Sequence, residues 1–120
     1  MQNRRFSRIK VSEKIIITCN NHTVEADLLD ISLKGALVRI EKPVDCQRGN
    51  KWSLSLRLSG SDIIMQFIAE VMHVRGDLVG VKFVETDLDT MIHLRNLMEA
   101  RTMDPDQVRN ELNFLVKSDR

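Results

Sequence analysis

The sequence predicts a mainly β domain closed by C-terminal α structure: six antiparallel strands wrapped into a small barrel, followed by one or two helices. Three observations carry this. Between Glu13 and Phe83 the chain is a series of short β-rich runs broken by turn residues. One run alternates cleanly, with Trp52, Leu54, Leu56 and Leu58 on one face and Ser53, Ser55, Arg57 and Ser59 on the other. After Thr86 the apolar spacing lengthens to that of a helix. Strands joined mostly by hairpins leave edges exposed, and closure into a barrel removes them.

The elements follow in order. The run Lys14-Ile15-Ile16-Ile17-Thr18-Cys19 is strongly β-branched, and Asn20-Asn21-His22 ends it in a hairpin turn. A strand from Thr23 to Leu29 returns antiparallel, a turn spans Asp30 to Gly35, and a third strand runs from Ala36 to Ile40. Pro43, Gly49 and Asn50 make residues 41–50 a loop. After the alternating strand, Ser59-Gly60-Ser61 turns the chain into a long strand from Ile63 to about Val74. Arg75-Gly76-Asp77 makes the next tight turn, and Leu78 to Phe83 is the last strand. Thr86-x-x-Asp89 resembles a capping box ahead of Leu88, Met91, Ile92, Leu94, Leu97 and Met98 at helical spacing. Asp104, with Pro105 and Gln107 behind it, starts a second helix that places Val108, Leu112 and Leu115 on one face. The first helix is expected to plug or flank the barrel, the second to pack on it or on a partner. Core filling is the ordinary explanation for Met91, Met98 and Met103.

At 120 residues the chain is one domain, large enough to bury a core. Residues 1–10 form a basic N-terminal segment, 11–84 the barrel and 86–117 the helices. An apolar fraction of 42% argues against disorder. No apolar run reaches the ~18 residues of a membrane span, and the basic N-terminus lacks the apolar stretch of a signal peptide. Cys19 and Cys46 have no CxxC spacing and read as free thiols in a reducing compartment. Membrane insertion is therefore not expected, and the expected compartment is the cytoplasm.

A net charge of +1 does not describe a general DNA or RNA binder, and with no Tyr and one Trp there is no stacking platform for single strands. Charge is nevertheless local. Residues 1–10 hold four cations and no anion, a patch suited to a small anionic ligand. His22, His73 and His93 lack ligand spacing for a metal. No serine sits between nucleophile-elbow glycines, and phosphate-loop and dinucleotide fingerprints are missing, so catalysis is not expected.

Two motifs carry chemistry. Arg4-x-x-x-Arg8 offers planar, permanently charged forks for phosphates and for a guanine O6/N7 edge. Asp30-x-Ser32-x-x-Gly35 offers a carboxylate and a hydroxyl as hydrogen-bond acceptors, with a glycine for a turn or close approach. Alone, the first reads equally well as a solvated basic tail. The second reads as a strand end with an Asx or ST turn and Gly35 at positive φ. By chance that string occurs in roughly 3% of chains this long. The pair, in this order, is far rarer.

With Arg8 and Asp30 separated by 22 residues, the pair resembles the signature of PilZ domains, bacterial receptors for cyclic di-GMP. The likeness covers most of the chain, including Gly80-Val81-Lys82-Phe83 and the helix after it. It implies a six-stranded barrel, with Arg4 and Arg8 on guanine and phosphate and Arg5 as an accessory contact. Asp30 and Ser32 would meet the guanine edge, and Gly35 would shape the turn. His73, at a strand end beside Arg75, is either a planar group against a guanine or an exposed strand-end histidine. Asn3 stands where some relatives have another arginine, which points to one ligand per chain unless Arg75 adds its charge. The resemblance implies a cytoplasmic sensor with cyclic di-GMP as ligand, no cofactor, and an unidentified downstream protein. In that sensor the N-terminal arginines lack partners until ligand orders residues 1–10 onto the barrel. The alternative is a PilZ-like protein-interaction module independent of the nucleotide.

Overall fold

The computed structural model describes residues 7–41, 47–101, 106 and 109–112. Among them are β1 (Ile9–Cys19), β2 (His22–Ile31), β3 (Gly35–Arg39), β4 (Lys51–Arg57), β5 (Ile64–Arg75), β6 (Leu78–Thr86) and α1 (Leu88–Arg101). All neighbours are antiparallel, and the strands close in the order β1-β2-β3-β6-β5-β4. The expected barrel is present.

The turns follow from residues that tolerate a left-handed backbone. Asn20 and Asn21 have φ of 52° and 67°, as a two-residue hairpin turn requires. Gly60 and Gly76 provide φ of 74° and 60° at the β4–β5 and β5–β6 turns. Inside, every strand contributes: Ile15, Ile17, Leu28, Val38, Trp52, Leu54, Leu56, Met65, Phe67, Val71, Val79 and Val81 are buried. Cys19 is buried too and is a free thiol; Cys46 lies outside the described residues.

Several boundaries differ from expectation: β2 runs on to Ile31, so Asp30 lies in the strand and not in the turn, β3 already begins at Gly35, and β6 continues past Phe83 to Thr86. β1 begins at Ile9, not near Lys14, because Ile9 is buried and pairs with Ile31. A bulge between Lys10 and Glu13 carries the strand across this polar stretch. Residues 9 and 10 therefore belong to the barrel and not to a free segment. At the helix, Asp87 is the cap: its Oδ1 accepts the Thr90 N–H at 2.7 Å, while Thr86 still belongs to β6.

α1 packs against β5. Leu94 and Met98 are fully buried, and the Gln66 N–H of β5 donates to Thr90 Oγ1 at 3.1 Å. The buried stripe is Thr90, Leu94 and Met98, so Leu88 and Ile92 turn away, and Leu88 is 74% exposed. Of the second helix, residues 106 and 109–112 are helical. Leu112 packs partly on the core; Asp104, Pro105, Gln107, Val108 and Leu115 lie outside the described residues.

Candidate functional site

The β2–β3 connection is built by Ser32. Its N–H donates to the Gly35 carbonyl at 2.8 Å. Its hydroxyl accepts the Lys34 and Gly35 N–H groups, each at 3.1 Å, and donates to the Gly35 carbonyl at 3.3 Å. Ser32 is 1% exposed, so the hydroxyl's capacity is spent within the turn. Gly35 is needed for a different reason than turn conformation. It does not have positive φ; instead, a Cβ there would stand 2.2 Å from the Val81 carbonyl oxygen of β6. Only a hydrogen fits between β3 and β6 at this point.

Arg8, immediately before β1, reaches across to β2 and donates from Nη1 to Asp30 Oδ1 at 2.7 Å. The expectation that the motif arginines lack partners without ligand is overturned for Arg8. Its side chain stays 53% exposed, against 20% for Asp30, leaving other guanidinium N–H groups open to a ligand. Arg4 and Arg5, with Asn3, lie outside the described residues.

Bulges aim the remaining side chains. In β2 the register shifts between Leu28 and Asp30, and in β5 between Val71 and His73. A bulge sets two residues against one and puts neighbours on the same face. In β5 that residue is Met72, so Met72 and His73 both face outward while Val71 remains in the core. The His73 ring lies along Gly80, with Cδ2 3.6 Å from where a Gly80 Cβ would be.

These parts border one cavity of about 640 Å³, lined by Arg8, Ser32, Lys34, Gly35, Ala36, Met72, His73, Gly80, Val81 and Lys82. That volume suits a drug-sized ligand. Arg8, Ser32, Gly35 and His73 thus come together; Asp30 stands behind Arg8 and does not itself line the cavity. Arg75, at the end of β5, is not among the lining residues. Sequence reasoning missed Lys34, Met72 and Lys82. Lys34 was legible inside the turn motif, whereas Lys82 arrives only by cross-strand pairing opposite Gly35. A separate groove of about 380 Å³ holds Glu85 and Asp87 and no Lys or Arg, which makes it unsuited to an anion. Away from both, Lys14 donates to Asp27 Oδ1 at 2.6 Å, and this bond and charge hold the lysine above its ordinary 10.5.

The chain matches the PilZ domain family over residues 2–100. Solved structures share the fold. The PilZ domain of YcgR from Escherichia coli, determined with c-di-GMP, aligns with TM-score 0.67 at 18% identity, covering 99% of each chain. The inhibitor of motility MotI/DgrA of Bacillus subtilis gives 0.70 at 16%, over 94% of this chain and 53% of that one. PlzA of Borreliella burgdorferi in complex with c-di-GMP gives 0.63 at 17%, over 78% and 40%. The chain thus spans about half the length of the Bacillus protein and less of PlzA. Because the family match runs through the barrel and nearly all of α1, the chain belongs to the PilZ domain family.

Proposed function

We propose that this chain is a receptor for cyclic di-GMP that holds the nucleotide in the cavity between Arg8, the Ser32–Gly35 turn and His73. One observation carries the reading: three cations, Arg8, Lys34 and Lys82, converge on a cavity that also offers a planar ring. Phosphates take the cations, and a guanine lies flat on the His73–Gly80 surface. The YcgR and PlzA structures, each with c-di-GMP, support the choice of ligand.

Each residue has a task in this scheme. Arg8 uses its free N–H groups on the ligand while Asp30 fixes its orientation, so less freedom is lost on binding. Asp30 also has a second oxygen to accept from a guanine N1–H or amine. Ser32 acts through the turn it builds. Arg4 and Arg5 add charge from the segment before Ser7. Occupancy changes the surface of that segment, and a downstream protein reads the change. The protein works as an adaptor in the cytoplasm, and no catalytic step is assigned to it.

Isothermal titration with cyclic di-GMP tests the reading directly. Arg8→Ala and Asp30→Ala are each expected to weaken binding by about 1–3 kcal/mol, the scale of a lost charged hydrogen bond. Wild-type affinity in both variants would sink the site. Amide exchange tests the switch: residues 1–6, ahead of the Ser7 and Arg8 contacts already made without ligand, should gain protection with nucleotide while Thr18–Phe83 changes little. Equal protection of residues 1–6 in both states contradicts it.

A further inference from the structure

Ser7, the residue before Arg8, is held by a side chain 104 positions further along. Its N–H donates to both carboxylate oxygens of Glu111, at 3.0 Å each, and its hydroxyl donates to Oε2 at 2.7 Å. Glu111 is only 4% exposed. A carboxylate withdrawn from water needs donors on its oxygens, and Ser7 supplies both a backbone and a side-chain donor. Glu111 belongs to the helical residues 109–112, and Arg109 Nε lies 3.5 Å from Glu99 Oε2 of α1. This helical turn is therefore joined to α1 on one side and to the arginine motif on the other.

The consequence concerns Arg8. Its guanidinium is fixed at the far end by Asp30. Its backbone is fixed one residue earlier, where Glu111 clamps the Ser7 N–H and so sets the direction from which the chain enters β1. We infer that Glu111 is a positioning residue for the nucleotide site, an inference resting on the cyclic di-GMP reading, and that it ties the engagement of Arg8 to the C-terminal helical turn. Occupancy of the cavity is then felt at residues 109–112, far along the sequence from either motif.

The test uses the full chain with cyclic di-GMP as probe, followed by titration calorimetry and amide exchange. Ser7→Ala removes the hydroxyl bond and leaves the N–H bonds, and a loss of about fivefold in affinity is expected; Glu111→Ala removes all of them, with a loss of about tenfold or more. The double variant should bind no worse than Glu111→Ala, because the contact is already gone. Ser7→Thr, which keeps the hydroxyl and the N–H, should restore binding. In the wild type, nucleotide should change exchange at residues 109–112, and Ser7→Ala should blunt that change. A purely structural role would lower the melting temperature and leave affinity and ligand-linked exchange alone. Should Glu111→Ala not fold, the Ser7→Ala and Ser7→Thr pair decides the matter. Wild-type binding with unchanged affinity in the Ser7 and Glu111 variants overturns this inference alone. Failure of the wild type to bind overturns the receptor reading and the inference together.

Discussion

Gly35→Ala is expected to destabilise the protein by about 3 kcal/mol and to remove cyclic di-GMP binding with it. The added Cβ would sit 2.2 Å from the Val81 carbonyl oxygen and 3.3 Å from its carbon. Both are backbone atoms in β6, so no side chain can swing aside. Relief requires β3 to move off β6 where Ala36 pairs with Val81 and Gly35 with Lys82. The same movement pulls on the Lys34 carbonyl, which accepts the Phe83 N–H at 2.8 Å, and on the Ser32 turn that floors the cavity. Gly60 and Gly76 make useful comparisons, since a Cβ at either meets nothing within 4 Å. Alanine there should cost only about 1 kcal/mol, from the left-handed backbone. Denaturant midpoints for the three variants settle the point, and a Gly35→Ala midpoint equal to the wild type refutes it.

Trp52→Ala should cost about 3–5 kcal/mol, the range for deleting a large buried aromatic. The ring is 1% exposed and faces the core from β4, where its cross-strand partner is Ala69, itself fully buried. So small a neighbour cannot collapse into the space. The melting temperature should fall by about 10–20 °C. No residue of β4 lines the cavity, so cyclic di-GMP affinity below the transition should stay within about twofold. Thermal unfolding with calorimetry below the transition checks both halves; a loss under about 1 kcal/mol would show that the core repacks.

These two sites differ in how far the sequence reveals them. Trp52 is legible because it opens an alternating run, and period-two burial follows from strand geometry alone. The hairpins at Asn20-Asn21, Gly60 and Gly76 are legible because few residues accept a left-handed backbone. Gly35 was legible as important but for the wrong cause, since its constraint comes from a strand 46 positions later in the chain. The Arg8–Asp30 pair hid for the same reason: the motifs announce a ligand, and nothing local says that they hold each other first. The onset of β1 was missed because Lys10, Ser12 and Glu13 mask a strand that a bulge carries through. Leu88 and Ile92 fit the helical spacing yet stay exposed, because a wide apolar stripe does not say which edge meets the barrel. Contacts such as Ser7 with Glu111 are tertiary and leave no periodic trace.

The bulge at Met72 carries information in chain length and not in residue type. A regular strand can offer a ligand every second side chain; one surplus residue lets β5 offer Met72 and His73 side by side. Deleting Met72 would restore plain alternation, keep Val71 facing Val81, and leave the cavity wall one side chain poorer. The gain or loss of a single codon can thus remodel what the pocket presents without altering one core residue. A comparison that weighs only which residues are conserved would pass over such a change, because the altered quantity is the count.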